Sequence, residues 1–216
     1  MVEKEMEAAD SELLCLKESM EDMCFHRIYD SAVQKAMEIT KKEVERLEEE
    51  THREIISTIY GRVKAPESVQ RKLCKKGCDC KLETAMTKLN DIAGMRATCY
   101  FMDDVYELAG RLKRNKQMRF LMEKNYIDKP KASGYKSLHL IVEIPILTGY
   151  EEEWIKTEIQ IRTLAMDFWA KLDHRICYKK DLIAVKAVQK DLREYADIIS
   201  RVDVQMLSLR KKMDAL

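Results

Sequence analysis

At 216 residues, with 46% of them hydrophobic and 36% charged, the chain has room for one domain with a sizeable core and reads as globular and rich in amphipathic helix. The formal net charge of +1 gives no support to bulk electrostatic capture of nucleic acid, so basic residues must act through local clusters, at 62–76 and 124–136. The seven cysteines are odd in number and scattered, and residues 1–23 are acidic with no continuous apolar segment. Neither a signal peptide, a membrane anchor nor a transmembrane run is expected, and the simple reading is reduced thiols in a cytoplasm. None of the six glycines belongs to a G-x-G-x-x-G or Walker A loop. A nucleotide, if bound, must have its phosphates held by side chains.

In chain order, residues 3–57 lack Pro and Gly and are expected to be helical, with Cys24, Ile28, Ala32, Ala36 and Ile39 at helical spacing. This segment is a packing or oligomerisation element, and the helical pattern stops near Tyr60-Gly61. Pro66 suits the first turn of a helix that would bring Ser68 and Lys72, four apart, onto one face. Arg62 and Lys64 precede it in an extended segment. The group reads either as a phosphate clamp or as a solvated basic helix. Cys74, Cys78 and Cys80 lack paired C-x-x-C spacing, and a zinc site would need a distant fourth ligand such as Cys99; free thiols are the preferred reading.

A short helix at 82–89 leads to a strand at 95–101, with Met95, Ala97, Cys99 and Phe101 inward and Arg96, Thr98 and Tyr100 outward. Asp91 at its mouth suits a hard cation or a plain turn. Asp103 and Asp104 are read as caps of a helix to about Arg114, and residues 117–122 as a further strand. Residues 129–140 concentrate Lys129, Lys131 and Lys136 around a Ser133-Gly134 turn, with Tyr135 beside it. The alternating strand that follows places His139 away from Leu138, Leu140, Val142 and Ile144. Charge, ring and strand suggest a nucleotide site; the plain alternative is a solvated connection.

A second alternating strand, 154–162, carries Lys156, Glu158, Gln160 and Arg162 on one face, and a hairpin about Gly149 would pair His139 with the neighbourhood of Glu158 to Gln160. Thr163 then caps a helix to about Lys179, with Leu164, Phe168, Leu172 and Ile176 as its buried stripe and His174 either structural or near the site. From Asp181 a last helix repeats Leu182, Val185, Val188, Leu192, Tyr195, Ile198, Val202, Met206 and Leu209 as a bundle seam, which predicts self-association.

Four segments together resemble the small alarmone synthetases, single-domain relatives of the bacterial stringent-response (p)ppGpp synthetases. They are Arg62-Val-Lys64-Ala-Pro-Glu-Ser68 with Lys72; Asp91-Ile-Ala-Gly-Met-Arg96; Lys129-Pro-Lys-Ala-Ser-Gly-Tyr135-Lys-Ser-Leu-His139; and Glu158-Ile-Gln160-Ile-Arg162-Thr163 through His174. The resemblance implies an α/β (α+β) fold, a mixed-sheet nucleotidyltransferase-like core flanked by long N- and C-terminal helices. It implies one synthetase domain over residues 1–216, divided into helices at 1–57, a catalytic core at 58–180 and a C-terminal helix at 181–216, usually in a homotetramer.

The activity implied is transfer of the β,γ-pyrophosphate of ATP to the ribose 3′-hydroxyl of GDP or GTP, with Mg²⁺ as cofactor and neither membrane nor nucleic acid required. Arg62 and Arg96 would sandwich adenine, and Lys64, Ser68 and Lys72 would hold ATP phosphates. Asp91 would bind Mg²⁺, and Glu158 would be the general base and a second Mg²⁺ ligand. Tyr135 would stack on guanine, with Lys129, Lys131, His139, Gln160 and Arg162 contacting the acceptor. Family members activated by their product tend to carry Phe-x-Thr-Gly and an Asn where this chain has Thr58-Ile-Tyr60-Gly61 and Asp167, which counts against such activation. No His-Asp hydrolase segment precedes the synthetase region, so product degradation is not expected. Two other readings stay open: a toxic relative acting on tRNA 3′ ends or adenine nucleotides, and an inactive nucleotide-sensing assembly module.

Overall fold

The computed structural model describes the backbone of residues 2–177 and 182–216 and the side chains of 12–177 and 186–216. The elements run α1 (Val2–Glu21), α2 (Met23–Thr51), β1 (Ile56–Val63), α3 (Pro66–Lys75), α4 (Leu82–Lys88), β2 (Ala93–Cys99), α5 (Met102–Arg114), β3 (Arg119–Asn125), β4 (Leu138–Thr148), β5 (Glu151–Thr163), α6 (Leu164–Cys177) and α7 (Leu182–Met213). The fold is thus a mixed α+β one, with a five-stranded sheet in the order β1-β2-β5-β4-β3. Only the central β2–β5 pair is parallel; β1–β2, β4–β5 and β3–β4 are antiparallel.

The amphipathic helix α2 covers the sheet with Ala32, Val33, Ala36 and Ile39, all buried. Asp22 caps its start, accepting from the backbone N–H of Cys24 and Phe25 at 2.9 and 3.1 Å. The helix ends earlier than the expected residue 57. His52 adopts the left-handed conformation, and Ile55 is already core. Residues 56–60, rich in β-branched and aromatic side chains, are taken up as β1, where cross-strand packing outweighs helix continuation. Gly61 lets that strand lie tight against α2, because an added Cβ would fall 2.3 Å from Val33 Cγ1.

The Gly149 hairpin forms as expected, with His139 paired to Gln160 and Ile141 to Glu158. Several other expectations are corrected. Thr98 is buried rather than outward. Asp103 and Asp104 are not caps: Phe101 holds that position with no side-chain bond, while Asp104 pairs with Arg53 and Asp103 with Arg210. β3 begins at Arg119 rather than at 117 and is an edge strand with Phe120, Leu121 and Met122 exposed.

Thr163 does cap α6, its Oγ1 accepting from Met166 N at 3.2 Å while donating to Asp203 at 2.6 Å. The stripe assigned to that helix is on the wrong side, however. Leu164, Phe168, Leu172 and Ile176 are all more than 40% exposed, whereas Met166, Asp167 and Trp169 are buried. Packing on α7 explains this, since Trp169 inserts against Leu192 and Ala196 and its indole N–H donates to Leu192 O at 3.2 Å. On α7 the contact face is Val188, Leu192, Ala196 and Ile199, leaving Tyr195, Ile198, Val202, Met206 and Leu209 exposed. The predicted helix boundaries at Lys179 and Asp181, and the side chains of Leu182 and Val185, lie outside the described residues.

Candidate active site

The parallel β2–β5 pair sets the site's centre. Gly94 lies opposite Glu158, and Arg96 opposite Gln160. Asp91 lies just before β2, where the Lys64 N–H donates to Ile92 O at 2.8 Å and ties the segment after β1 to the same end of the sheet. The result is one cleft lined by Tyr60, Arg62, Lys64, Asp91, Arg96, Glu158 and Gln160.

On its first side, Lys64 Nζ and Lys72 Nζ each sit 2.8 Å from Asp91 Oδ2. Lys72 reaches it from α3, whose first turn is started by Pro66. Burial raises the Asp91 pKa, but the two ammonium groups outweigh it and hold the carboxyl below its ordinary range. Its other oxygen, Oδ1, is buried without a hydrogen-bond partner. A buried carboxylate oxygen with an empty lone-pair direction is costly unless something electropositive meets it, and a hard, oxygen-loving divalent cation fits that position.

The second side is built on β4 and β5 as a hydrogen-bonded chain. Arg162 Nη2 donates to the Tyr135 hydroxyl at 2.5 Å and to Gln160 Oε1 at 2.8 Å. The Tyr135 hydroxyl lies 2.9 Å from His139 Nε2, and His139 Nδ1 lies 3.1 Å from Glu158 Oε1. Since Glu158 only accepts, the consistent assignment gives Nδ1 the proton and leaves Nε2 to accept from Tyr135. Gln160 Nε2 donates to the second carboxylate oxygen, Oε2, at 2.7 Å. Burial pushes the Glu158 pKa up, but His139 first, then Gln160 and Lys72, pull it down to about 2. Burial holds Tyr135 above its ordinary range, so the phenol keeps its proton. Glu158 differs from Asp91 in having both oxygens engaged; to take up a cation it must release a donor.

Between the two sides, Asp167 on α6 gathers cations that sequence reasoning did not connect to it. Its Oδ1 accepts from Arg96 Nη1 at 2.9 Å and from Arg162 Nη1 at 3.2 Å, and Lys171 lies 2.8 Å from Oδ2. The spacing of Asp167 and Lys171 was a readable signal; the partners on two strands were not. Beyond this node a cavity of about 580 Å³ opens, lined by Arg62, Arg71, Arg96, Tyr135, Arg162 and His174, among others. That places His174 at the site and adds Arg71, which sequence reasoning had not singled out.

The lysine-rich loop divides. Lys131 Nζ is 4.7 Å from the Tyr135 ring centroid and 4.8 Å from that of Tyr126, and burial lowers its pKa. Lys136 turns away and donates to Ser200 Oγ on α7 at 2.7 Å. Lys129 is exposed and lines neither cavity. Ser68 is half-buried on α3 beside Val69, also outside both linings.

Residues 61–183 match the family described as the region found in RelA / SpoT proteins. The chain is 42% identical over 154 residues to the GTP pyrophosphokinase YwaC of Bacillus subtilis, covering 71% of this chain and 73% of that one. It is 36% identical to the GTP pyrophosphokinase YjbM of the same organism, over 72% of each chain. Among solved structures it resembles the small alarmone synthetase 1 from Bacillus subtilis bound to its product pppGpp, with a TM-score of 0.78 at 33% identity, over 88% of this chain and 96% of that one. A GTP pyrophosphokinase family protein from Streptococcus pneumoniae gives a TM-score of 0.75 at 34% identity, over 88% and 92% of the two chains. With more than half of its length matched to that model, and close relatives aligned over most of theirs, the chain belongs to the RelA/SpoT family.

Proposed function

We propose that this chain is a GTP/GDP pyrophosphokinase that transfers the β,γ-pyrophosphate of ATP to the ribose 3′-hydroxyl of GDP or GTP, making ppGpp or pppGpp. The observation that carries this is the meeting of Asp91 and Glu158 in one cleft, with Arg and Lys side chains on either side, in a chain 42% identical to a GTP pyrophosphokinase. Phosphoryl transfer asks mainly for positioning and charge stabilisation, which this equipment supplies.

In this reading Arg62 and Arg96 flank the adenine, and Lys64, Ser68 and Lys72 hold the ATP phosphates. Asp91 and Glu158 would hold Mg²⁺, with the unsatisfied Asp91 Oδ1 as its first anchor. When bound, that ion supplies neutralisation of phosphate charge. Tyr135 stacks on the guanine, a contact worth about 1–3 kcal/mol. Lys131, His139, Gln160 and Arg162 orient the acceptor, and Lys129, on the exposed loop outside both cavities, adds charge on the acceptor side. Glu158 takes the 3′-hydroxyl proton. Its low proton affinity belongs to the nucleotide-free state; arriving phosphate charge raises it and a bound cation opposes that rise.

The exposed apolar rows on α6 and α7 support self-association, which we assign as a homotetramer; sedimentation at equilibrium tests this. No helix among the described residues is long and apolar enough to cross a membrane, and together with the free thiols this supports a cytoplasmic setting. The deciding experiment incubates the protein with Mg²⁺, ATP labelled at the γ-phosphate and, separately, GMP, GDP, GTP, an adenine nucleotide and tRNA. Label on guanine nucleotides alone is expected. Label on tRNA or adenine nucleotides, or none transferred, would overturn the assignment. Glu158→Gln should keep ATP binding and lower turnover by about 10²–10⁴-fold; unchanged turnover would remove Glu158 from its role.

A further inference from the structure

The loop joining α3 to α4 holds a pair of thiols that the proposed chemistry does not use. Cys74 Sγ and Cys80 Sγ lie 3.5 Å apart, six residues apart in the chain. Cys74 is exposed in the last turn of α3, and Cys80 is buried beneath it. Cys78 turns the other way, its thiol 3.7 Å from Lys76 O, so the three sulfurs do not converge as a metal-holding set. The expected alternative ligand, Cys99, sits in the sheet core. Gly77, at φ +66° with nothing within 4 Å of an added Cβ, turns the chain so that residues 74 and 80 face each other.

We propose that Cys74 and Cys80 are a thiol–disulfide pair whose closure restrains α3 and thereby alters ATP affinity. The accessible sulfur of Cys74, with its partner buried, makes Cys74 the thiol that meets the oxidant first. Burial, with the Cys74 thiol and the Glu12 carboxylate beside it, pushes the Cys80 pKa up to about 12, so Cys80 stays protonated and is not the first to attack. The oxidant is a low-molecular-weight disulfide. Cys74, as thiolate, attacks one of its sulfurs and expels one small thiolate. Cys80 then attacks Cys74 Sγ, its proton passing to the departing small thiolate, which leaves as the second small thiol. Two protein thiols are oxidised to one disulfide and one small disulfide is reduced to two thiols.

Closure must shorten the sulfur separation from 3.5 Å to a bond of about 2.05 Å. The shift is taken up at the end of α3, two residues from Lys72, whose ammonium sits 2.8 Å from Asp91. A shift passed along α3 to Lys72 would be read in ATP binding, because ångström-scale misplacement of a positioning group changes binding and rate substantially. This step rests on the proposed role of Lys72 at the ATP phosphates.

The test equilibrates the protein in glutathione buffers of increasing oxidised fraction, then reads intact mass, peptide connectivity and KM for ATP. The expected result is a loss of two hydrogens per chain, a 74–80 cross-link absent from both Cys74→Ser and Cys80→Ser, and a KM for ATP changed about 3- to 10-fold. Dithiothreitol should reverse the change, and neither serine variant should show it. A glutathione adduct that persists on Cys74, or a link to Cys78, would overturn the pairing. A 74–80 link with unchanged KM for ATP would overturn the restraint. None of those results touches the pyrophosphate transfer itself, which fails if label reaches tRNA or adenine nucleotides or is not transferred; Lys72→Ala leaving KM for ATP unchanged would remove only the role of Lys72 on which the restraint rests.

Discussion

At the scale of single residues, the site runs on two carboxylates held in opposite ways. Asp91 keeps one oxygen free of donors, while both oxygens of Glu158 are engaged by His139 and Gln160. His139 is the strongest influence opposing burial in holding Glu158 near a pKa of about 2. His139→Ala should therefore raise the Glu158 pKa and move the acid limb of the kcat/KM profile to higher pH; an unmoved limb would separate the two residues. Asp167 is the corresponding control on the cationic side. Removing it leaves Arg96 and the buried Arg162 without their shared counter-charge. Breaking a buried pair by deleting one partner costs about 3–5 kcal/mol, less where a partner is partly solvated as Arg96 is. Asp167→Ala should lose about 2 kcal/mol in denaturant unfolding. Asp167→Asn, which keeps the acceptor without the charge, should lose about half that.

At the scale of elements, the acceptor-side loop depends on α7. Residues 131–135 form a turn closed by Gly134 N to Lys131 O at 2.8 Å and Lys131 N to Tyr135 O at 3.2 Å. Gly134 has φ +88°, and an added Cβ would lie 2.5 Å from Ala196 Cβ and 3.3 Å from the Arg193 backbone. Both the conformation and the space demand glycine. Gly134→Ala should raise KM for the guanine nucleotide through displacement of Tyr135 while leaving KM for ATP near its wild-type value. Ala196→Gly should restore part of the loss by clearing the nearer contact. Equal changes in both KM values would show that the loop is not specific to the acceptor.

The turn itself was legible, because Ser-Gly before an alternating strand has a local cause, and so was the hairpin that pairs His139 with Gln160. The burial of α6 was not. Leu164, Phe168, Leu172 and Ile176 form a flawless four-residue row, yet the helix buries Trp169 and Met166, because the neighbour it packs on is chosen by chain topology rather than by its own pattern. The same holds for α2 and β1. Nothing in residues 52–56 signals a stop as glycine or proline would, and only pairing with β2 makes a strand there worth forming. The role of Asp167 was not legible, since its two arginine partners come from β2 and β5.

For the whole molecule, the charged site couples folding to pH. Glu158 titrates at about 2 in the folded state against an ordinary value of 4.5, so the native state binds its proton less readily than the unfolded chain. A depressed folded pKa contributes stability that is fully present above the unfolded value and is lost as pH falls from about 4.5 toward 2. At 1.36 kcal/mol per unit, that contribution is about 3 kcal/mol, an appreciable share of a typical domain's stability. Asp91 and Asp167 shift in the same direction and steepen the loss. Asp203 and Asp173, raised by burial, act oppositely: their folded pKa values lie above the unfolded ones, so they favour the native state at low pH and lose that advantage as pH rises. The expected outcome in urea unfolding is a fall in wild-type stability between pH 5 and pH 3 that is visibly shallower in Glu158→Gln, which has no proton to gain there. Parallel curves would mean that the carboxylate is not held by His139 and Gln160 in solution, and the polarised chain from Arg162 to Glu158 would have to be redrawn.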